Sequence, residues 1–139
     1  MTEQRPATLV DSNVLLDLFT KDPTWSEWSS ARLSEALDQG PVVVNQVVYG
    51  EVAYRFSTIE ALDAVLTSDR FVRGNLPWAA AFLAATCYRD YRRRGGQRVS
   101  TLPVFFIGAH AAVLGLRLLT RDAARYRTYF PTVDLVVPA

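Results

Sequence analysis

Short apolar runs that alternate with longer helical segments are the feature that most restricts the fold of this chain. Four such runs occupy residues 7–11, 41–45, 116–120 and 133–137. A strand that is apolar throughout, rather than at every second residue, is typical of parallel sheets covered by helices on both faces. The alternation therefore predicts a three-layer α/β/α fold around a central, mostly parallel sheet of four or five strands.

The segments between these runs carry apolar residues at helical spacing and have recognisable ends. A helical segment follows Asp11, and residues 24–40 form an amphipathic segment that closes at Gly40. Residues 46–56 and 58–68 indicate two consecutive helices, the second with Thr58 as its N-cap. A helix from Pro77 ends at residues 95–96, and another runs from Pro103 to residue 115, because Pro favours helix starts and Gly favours helix ends.

Length and composition predict one globular domain over residues 1–139, since half of the residues are apolar and 21% are charged. A single cysteine excludes an internal disulfide. No apolar stretch approaches the roughly 20 residues of a membrane span, and the N-terminal segment, which contains Asp11, does not resemble a signal peptide. We therefore expect a cytoplasmic protein with no membrane partner.

The charges are unevenly distributed although the net charge is only +1. Residues 1–69 hold eleven acidic and four basic side chains, and residues 70–139 hold three acidic and eleven basic ones. Such a split indicates a nucleic-acid partner. Fourteen of the fifteen basic residues are arginine, which suits bidentate phosphate contacts but equally fits the codon bias of a GC-rich genome.

The basic residues concentrate in segment 88–98 and around Asp122. In the first segment they also suit a solvated helix C-terminus, where cations complement the helix dipole. The candidates for nucleic-acid contact are Arg92, Arg93, Arg94, Arg121 and Arg125.

Acidic residues follow two of the predicted strands. Asp11 closes the first strand, and Asp122 comes two residues after the third. Ligands of open α/β sheets bind beyond the carboxyl ends of the strands. Glu51 lies in the helix after the second strand, within an apolar stretch where an unpartnered carboxylate is costly. Either aspartate alone also fits a helix cap, but the three acids together predict one convergent site.

The predicted site is built from hard oxygen ligands, and the sequence has no cluster of Cys and His for zinc. Such ligands favour Mg²⁺ or Mn²⁺. A carboxylate cluster of this kind supports hydrolysis of a phosphodiester by a metal-activated water. A phosphatase of the haloacid dehalogenase type would require an aspartate where Asn13 stands, and no Gly-rich phosphate loop is present.

Three stretches together resemble one known family. In order they are LVDSNVLLDL, VVYGEVAY and LPVFFIGAHAAVLGLRLLTRDAARY. They are similar to the PIN-domain family, in particular to its VapC toxins, over essentially the whole chain. The resemblance implies a PIN-like fold and a Mg²⁺- or Mn²⁺-dependent endoribonuclease that cleaves structured RNA. It also implies the toxin component of a toxin–antitoxin pair, a cognate VapB-type antitoxin and a homodimer.

The resemblance also assigns roles to individual residues. The catalytic and metal-binding acids are Asp11, Glu51 and Asp122. Polar residues that orient these acids are Ser12, Asn13 and Thr120. His110 is expected to be a packing or supporting residue rather than a general base. Trp25 and Trp28 are expected either in the core or in a groove for an antitoxin helix.

The sequence departs from the family pattern at Val104, where the family has a fourth acid after Leu-Pro. A valine offers no ligand, so we expect impaired hydrolysis. Three explanations are open: a deliberate inactivating replacement, natural loss of the acid, or a substitute acid such as Asp17 or Asp90. The alternative function is a catalytically inactive PIN module that binds RNA or an antitoxin.

Overall fold

The computed structural model describes residues 6–96 and 101–139, and its elements alternate as predicted. Within these ranges the chain forms five strands and seven helices. In chain order they are β1 (Thr8–Val10), α1 (Ser12–Phe19), α2 (Ser26–Gln39), β2 (Val42–Val44), α3 (Gln46–Ala53), α4 (Ile59–Val65), β3 (Phe71–Arg73), α5 (Trp78–Arg93), α6 (Leu102–Leu114), β4 (Arg117–Leu119), α7 (Ala124–Arg127) and β5 (Leu135–Val136).

The strands form one sheet in the order β3-β2-β1-β4-β5, and every pair is parallel. The prediction of an α/β fold with a mostly parallel sheet of four or five strands is confirmed. Thr8 pairs with Val42 of β2 on one side and with Arg117 of β4 on the other. β1 is therefore the central strand.

The central strands are buried on both faces of the sheet. All three residues of β1 and all three of β2 are buried. Successive side chains of a strand point to opposite faces, so helices must cover both. This is why the strands read as continuous apolar runs.

Two short elements differ from the sequence prediction. β3 was not predicted, because it is an edge strand in which only Phe71 is buried and no apolar run forms. The four-residue helix α7 was also missed, and its Tyr126 is completely buried. Both elements flank the edge of the sheet where the acids lie.

Helix ends follow the expected capping chemistry. Thr58 Oγ1 accepts a hydrogen bond from Ala61 N at 3.1 Å, and Asn45 Oδ1 caps α3 by accepting from Val48 N at 2.9 Å. Gly115 ends α6 with a φ of 64°, in the left-handed region that favours glycine. None of the helices within 6–96 and 101–139 is long and apolar enough to cross a membrane.

The strand order creates a crevice between β1 and β4. β1 continues towards β2 on one side of the sheet, and β4 continues towards β5 on the other. At such a switch point the connections diverge and leave a gap beyond the carboxyl ends of the two strands. Asp11 and Thr120 stand at this gap, directly after β1 and β4.

Gly108 of α6 provides a test of the packing. A Cβ at this position would overlap ring carbons of Phe130, whereas one at Gly50 of α3 would meet nothing within 4 Å. We expect Gly108→Ala to lower the free energy of unfolding by about 1–3 kcal/mol through overpacking. Gly50→Ala, the control, should raise it by about 0.5–1 kcal/mol. Urea denaturation measures both, and equal effects would contradict this packing.

Candidate active site at the carboxyl edge of the sheet

Asp11 is the buried centre of the site. It caps α1, and its Oδ1 accepts a hydrogen bond from Ser12 N at 2.8 Å. Its Oδ2 accepts from Thr120 Oγ1 at 2.9 Å and from Tyr126 Oη at 2.7 Å. Residues from α1, from the end of β4 and from α7 thus meet on one carboxylate, and Asp11 is only 4% exposed.

Burial dominates the electrostatics of this carboxylate. Desolvation raises the pKa of Asp11 above its ordinary value, although the hydrogen bonds from Tyr126 and Thr120 act in the opposite direction. The pKa of the Tyr126 phenol is raised as well, first by burial and then by the charge of Asp11. The phenol therefore stays protonated and remains a hydrogen-bond donor to the carboxylate.

Glu51 approaches Asp11 through Ser12. Ser12 Oγ donates to Glu51 Oε1 at 3.1 Å, while the backbone N–H of the same serine donates to Asp11. Partial burial raises the pKa of Glu51, and the charge of Asp11 raises it further, against the opposing effects of the Ser12 hydrogen bond and the Arg125 charge. The two acids therefore repel each other across one bridging serine.

Thr120 links the remaining polar residues. Asn13 Nδ2 donates to Thr120 Oγ1 at 3.3 Å, and Asp122 N donates to the same hydroxyl at 3.1 Å. Asn13 Oδ1 accepts from Arg121 N at 3.4 Å. These contacts connect the start of α1 to the loop after β4 and fix the path of the backbone that carries Asp122.

Asp122 is directed towards an arginine. Its Oδ2 lies 2.7 Å from Arg125 Nε, three residues further along the chain. The positive charge of Arg125 also lowers the pKa values of Asp11 and Glu51, against the effect of burial. Among the described residues, no three acidic, Cys or His side chains are close enough together to hold a metal ion in this conformation.

The donor set nevertheless fits a hard divalent cation in its chemistry. The available ligands are carboxylate oxygens, and Asp11 is held by three hydrogen bonds on a rigid strand end. Oxygen ligands of this type suit Mg²⁺ and Mn²⁺. The side chain of Asp122 would have to leave Arg125 to join Asp11 and Glu51.

Val104 lies in the first turn of α6 and belongs to the apolar core, with only 6% of its surface exposed. Its neighbour Pro103 lines an open groove together with Gly50 and Glu51. The start of α6 therefore stands beside Glu51.

The two substitute acids considered for this position have other partners. Asp17 is 2% exposed and accepts from Ser29 Oγ at 2.8 Å and from Arg121 Nε at 2.9 Å. Asp90 pairs with Arg94 at 3.2 Å on α5. Neither acid hydrogen-bonds to Asp11, Glu51 or Asp122 within the ranges that the structure describes.

The candidate RNA-contact arginines fall into two groups. Arg92 and Arg93 are exposed at the end of α5, which reaches the start of α6 because the rings of Tyr91 and Phe105 lie 5.4 Å apart. Arg94 and Arg125 pair with nearby aspartates, as described above. Residues 97 and 98 of the basic segment lie outside the described ranges.

Arg121 and the two tryptophans form a separate contact. The Arg121 guanidinium lies 5.5 Å from the ring centre of Trp25, and its Nε contacts Asp17. Trp25 and Trp28 meet edge to face at 6.0 Å, and both are half-buried. These tryptophans therefore pack against residues of the chain itself, at least on one side.

Tyr126 contacts Asp11 in the site, but it is not among the site residues that the sequence predicts. It lies four residues after Asp122, in a helix too short to produce a periodic pattern. The signal available in the sequence was an aromatic residue in TRDAARY, the segment with the strongest family resemblance. Its hydroxyl, which contacts Asp11, was not assigned a role.

These features define an α/β protein with an acidic site at the switch point of a parallel sheet. A family model described as the PIN domain matches residues 8–131, and the chain therefore belongs to the PIN-domain family. The predicted family is confirmed. PIN domains are generally nucleases, and these nucleases generally use divalent metal ions.

Solved structures share the fold at low sequence identity. A VapBC2 complex from Rickettsia felis, bound to a DNA fragment from its promoter, has a TM-score of 0.71 at 14% identity, covering 94% of this chain and 98% of that one. VapBC-1 from nontypeable Haemophilus influenzae has a TM-score of 0.71 at 15% identity, covering 94% and 97%. A toxin–antitoxin complex from Klebsiella pneumoniae has a TM-score of 0.62 at 22% identity, covering 95% and 98%. No curated protein sequence matches the chain.

The raised pKa of Asp11 predicts a pH-dependent stability. Because the folded pKa lies above the 3.8 of an ordinary aspartate, the ionised carboxylate destabilises the fold at neutral pH, and this cost disappears as the pH falls. We expect Asp11→Asn to raise the free energy of unfolding at pH 7, and to lose this gain as the pH falls towards 3.8, the ordinary value for aspartate.

Chemical denaturation between about pH 3.5 and 8 measures this effect across the range in which the carboxylate titrates. Asp134→Asn is the control, because Asp134 is exposed and its neutralisation should change little. A gain that does not depend on pH, or a loss of stability at neutral pH, would contradict the assigned environment of Asp11.

Proposed function

We propose that this chain is a Mg²⁺- or Mn²⁺-dependent endoribonuclease of VapC type, formed as one PIN domain over residues 1–139. The observation that carries the proposal is the buried Asp11 carboxylate at the switch point, with Glu51 beside it through Ser12. Acids whose pKa is shifted by burial are concentrated at functional sites, so the burial of Asp11 supports a functional role for its charge. Because PIN domains are generally nucleases, we assign this charge to a nuclease site.

Asp11, Glu51 and Asp122 would hold the cation. When bound, a divalent ion lowers the pKa of a water molecule and stabilises the leaving oxygen of a phosphodiester. The chain's own residues prepare this site. Tyr126 and Thr120 hold the Asp11 carboxylate in one orientation, and Asp122 becomes available when Arg125 releases it. The released guanidinium would then be free to pair with a phosphate of the RNA.

The remaining basic residues would provide a positively charged surface for structured RNA. Arg92 and Arg93 are exposed beside the start of α6. Exposed arginines contribute sequence-independent attraction to phosphates, which falls as the salt concentration rises. Arg121 would add to this surface from its position over Trp25.

We also propose a VapB-type antitoxin as partner, a homodimer as the assembly and the cytoplasm as the location. The structural likeness to VapBC complexes supports the antitoxin. An open groove beside Glu51 would accommodate an antitoxin segment, and it is lined by Leu16, Val47 and the 90%-exposed Tyr54. The two tryptophans, Trp25 and Trp28, are a second candidate contact for the same partner. An antitoxin segment in the groove would cover Glu51 and silence the site.

Val104 impairs hydrolysis in this proposal, because a valine in the first turn of α6 cannot supply the carboxylate that the family has at this position. The alternative function is a catalytically inactive PIN module that retains RNA or antitoxin binding. Both use the same fold, and they differ in whether metal binding leads to cleavage.

The decisive variant is Val104→Asp. We expect it to cleave a mixture of transfer, ribosomal and messenger RNA in Mg²⁺ or Mn²⁺ at least about 100-fold faster than the parent chain, since even outer partners of metal ligands contribute roughly 10- to 100-fold. Chelator should abolish the cleavage, and expression of the variant should arrest growth.

Val104→Asn is the matched control, because asparagine has the shape of aspartate without its charge. Equal activity of the parent chain and both of these variants would contradict the role of the missing acid. Cleavage that persists in chelator would remove the metal mechanism altogether.

Arg125→Gln tests the competition between Arg125 and the cation. Removal of the guanidinium frees Asp122 and removes positive charge near all three acids, so we expect Mn²⁺ to bind about three- to tenfold more tightly. Isothermal titration measures the affinity without any RNA. Arg127→Gln is the control, since Arg127 is exposed and forms no ion pair with a described residue. Equal affinities in the two variants would contradict the competition.

A further inference from the structure

A small cavity lies on the same edge of the sheet as Asp11, beyond the carboxyl ends of β2 and β3. Its volume is about 250 Å³, and its lining comes from the end of β2, the first turn of α3 and the turn after β3. Gly74 sits in this turn, where a Cβ would lie 2.5 Å from Val43 Cγ1. A side chain at position 74 would therefore clash with Val43, so the turn that lines the cavity requires glycine here.

Two side-chain amides form the polar rim of the cavity. Gln46 Nε2 donates to Asn75 Oδ1 at 3.1 Å, while Gln46 Oε1 accepts from Leu76 N at 2.9 Å. The orientation of both amides is thereby set. The NH₂ group of Asn75 is left with no acceptor among the described residues, and it offers two donors to a ligand.

An aromatic ring and a cation lie on another side of the cavity. Tyr49 Oη donates to Asp63 Oδ1 at 3.0 Å, and Arg73 Nη2 lies 2.6 Å from the same oxygen. The Arg73 guanidinium is 5.0 Å from the ring centre of Tyr49. Aromatic rings and guanidinium planes are the surfaces on which unpaired bases stack, and the exposed Arg73 also suits a phosphate.

An unpaired polar atom lies behind the cavity wall. Asn45 Oδ1 accepts from Val48 N, so Asn45 Nδ2 is the donor to His110 Nδ1 at 3.0 Å. The proton of the neutral ring is therefore on Nε2, which is buried and has no hydrogen-bond partner among the described residues. His110 Cε1 lies 3.8 Å from the Cβ position of Gly74. A buried donor without a partner is costly, and this ring lies directly behind Gly74, so its signals report on changes in the cavity.

The cavity and the groove of the acidic site share one lining residue. Gln46 lines both the cavity and the groove that contains Gly50, Glu51 and Pro103. β2 is also the direct neighbour of β1, which ends at Asp11. A single-stranded RNA bound beside Glu51 would thus reach the cavity by passing the side chain of Gln46.

We propose that this cavity binds one unpaired nucleobase of the RNA, and we refer to it as the base pocket. The proposal rests on the ribonuclease function proposed above. The size of the cavity, its amide rim, its aromatic side and its place on the path from Glu51 all fit a planar base with ring nitrogen and carbonyl acceptors. The base pocket would select the sequence near the cleavage point, whereas the arginines attract RNA of any sequence.

Nuclear magnetic resonance tests the site directly. We expect one or more of AMP, GMP, CMP and UMP to shift the side-chain amide signals of Gln46 and Asn75 and the ring signals of His110, in chelator and without metal. The amide of Gln39 is the internal reference, because it lies before β2 at the opposite edge of the sheet. If none of the four nucleotides shifts the pocket signals, or if Gln39 shifts equally, the proposal is overturned.

Selection from random single-stranded RNA tests the role in recognition. We expect RNAs that bind the chain in chelator to share a preferred base at one position. Asn75→Ala should weaken binding of the selected RNA by about three- to tenfold, the effect expected for losing hydrogen bonds to one base. Gln39→Ala should leave the affinity unchanged. If Asn75→Ala binds the selected and unselected pools as the parent chain does, the base pocket has no role in recognition.

The outcomes separate this proposal from the proposed function. Pocket signals that shift in a chain whose Val104→Asp variant never cleaves RNA would support the base pocket and contradict the ribonuclease. Metal-dependent cleavage by Val104→Asp with the same sequence preference after Asn75→Ala would support the ribonuclease and overturn the base pocket.

Discussion

The structure depends on one buried carboxylate. Asp11 is fixed at the end of the central strand by three hydrogen bonds, and these donors come from α1, from the residue after β4 and from α7. Thr120 and Tyr126 share one oxygen of this carboxylate as their acceptor. Burial nevertheless raises the pKa of the group, so the hydrogen bonds offset its desolvation only in part. The ionised Asp11 therefore destabilises the fold at neutral pH, a cost that is typical of functional sites.

The surrounding charges follow from that constraint. Glu51 adds a second negative charge across Ser12, and Asp122 adds a third at the rim. The charge of Asp11 raises the pKa of Glu51, whereas the charge of Arg125 lowers the pKa of both acids and its guanidinium pairs with Asp122. In the proposed function a divalent ion would replace the guanidinium as counter-ion, and a phosphate near the site would favour that exchange because it pairs with the guanidinium.

The sequence predicts most of the sheet and only part of the site. Continuous apolar runs identified β1, β2, β4 and β5, because strands buried on both faces leave that pattern. β3 left no such pattern, since it buries Phe71 alone at the edge. Asp11, Glu51, Ser12, Asn13 and Thr120 were placed near one another by strand-end reasoning and family resemblance, and their hydrogen bonds connect them in the structure. Tyr126 and the pairing of Arg125 with Asp122 were not predictable in the same way, because both depend on the four-residue helix α7, which is too short for helical periodicity.

The residue at position 104 affects both the packing and the charge balance around Asp11 and Glu51. The positions around Asp11 and Glu51 already carry two carboxylates whose pKa values are raised by burial and, for Glu51, by mutual repulsion. A fourth acid in the first turn of α6, where the side chain is 6% exposed, would add a further desolvation penalty and further repulsion between carboxylates. A valine at this position instead contributes apolar burial to the core. In the proposed function, a valine rather than an acid at position 104 would stabilise the metal-free fold and weaken its attraction for a cation.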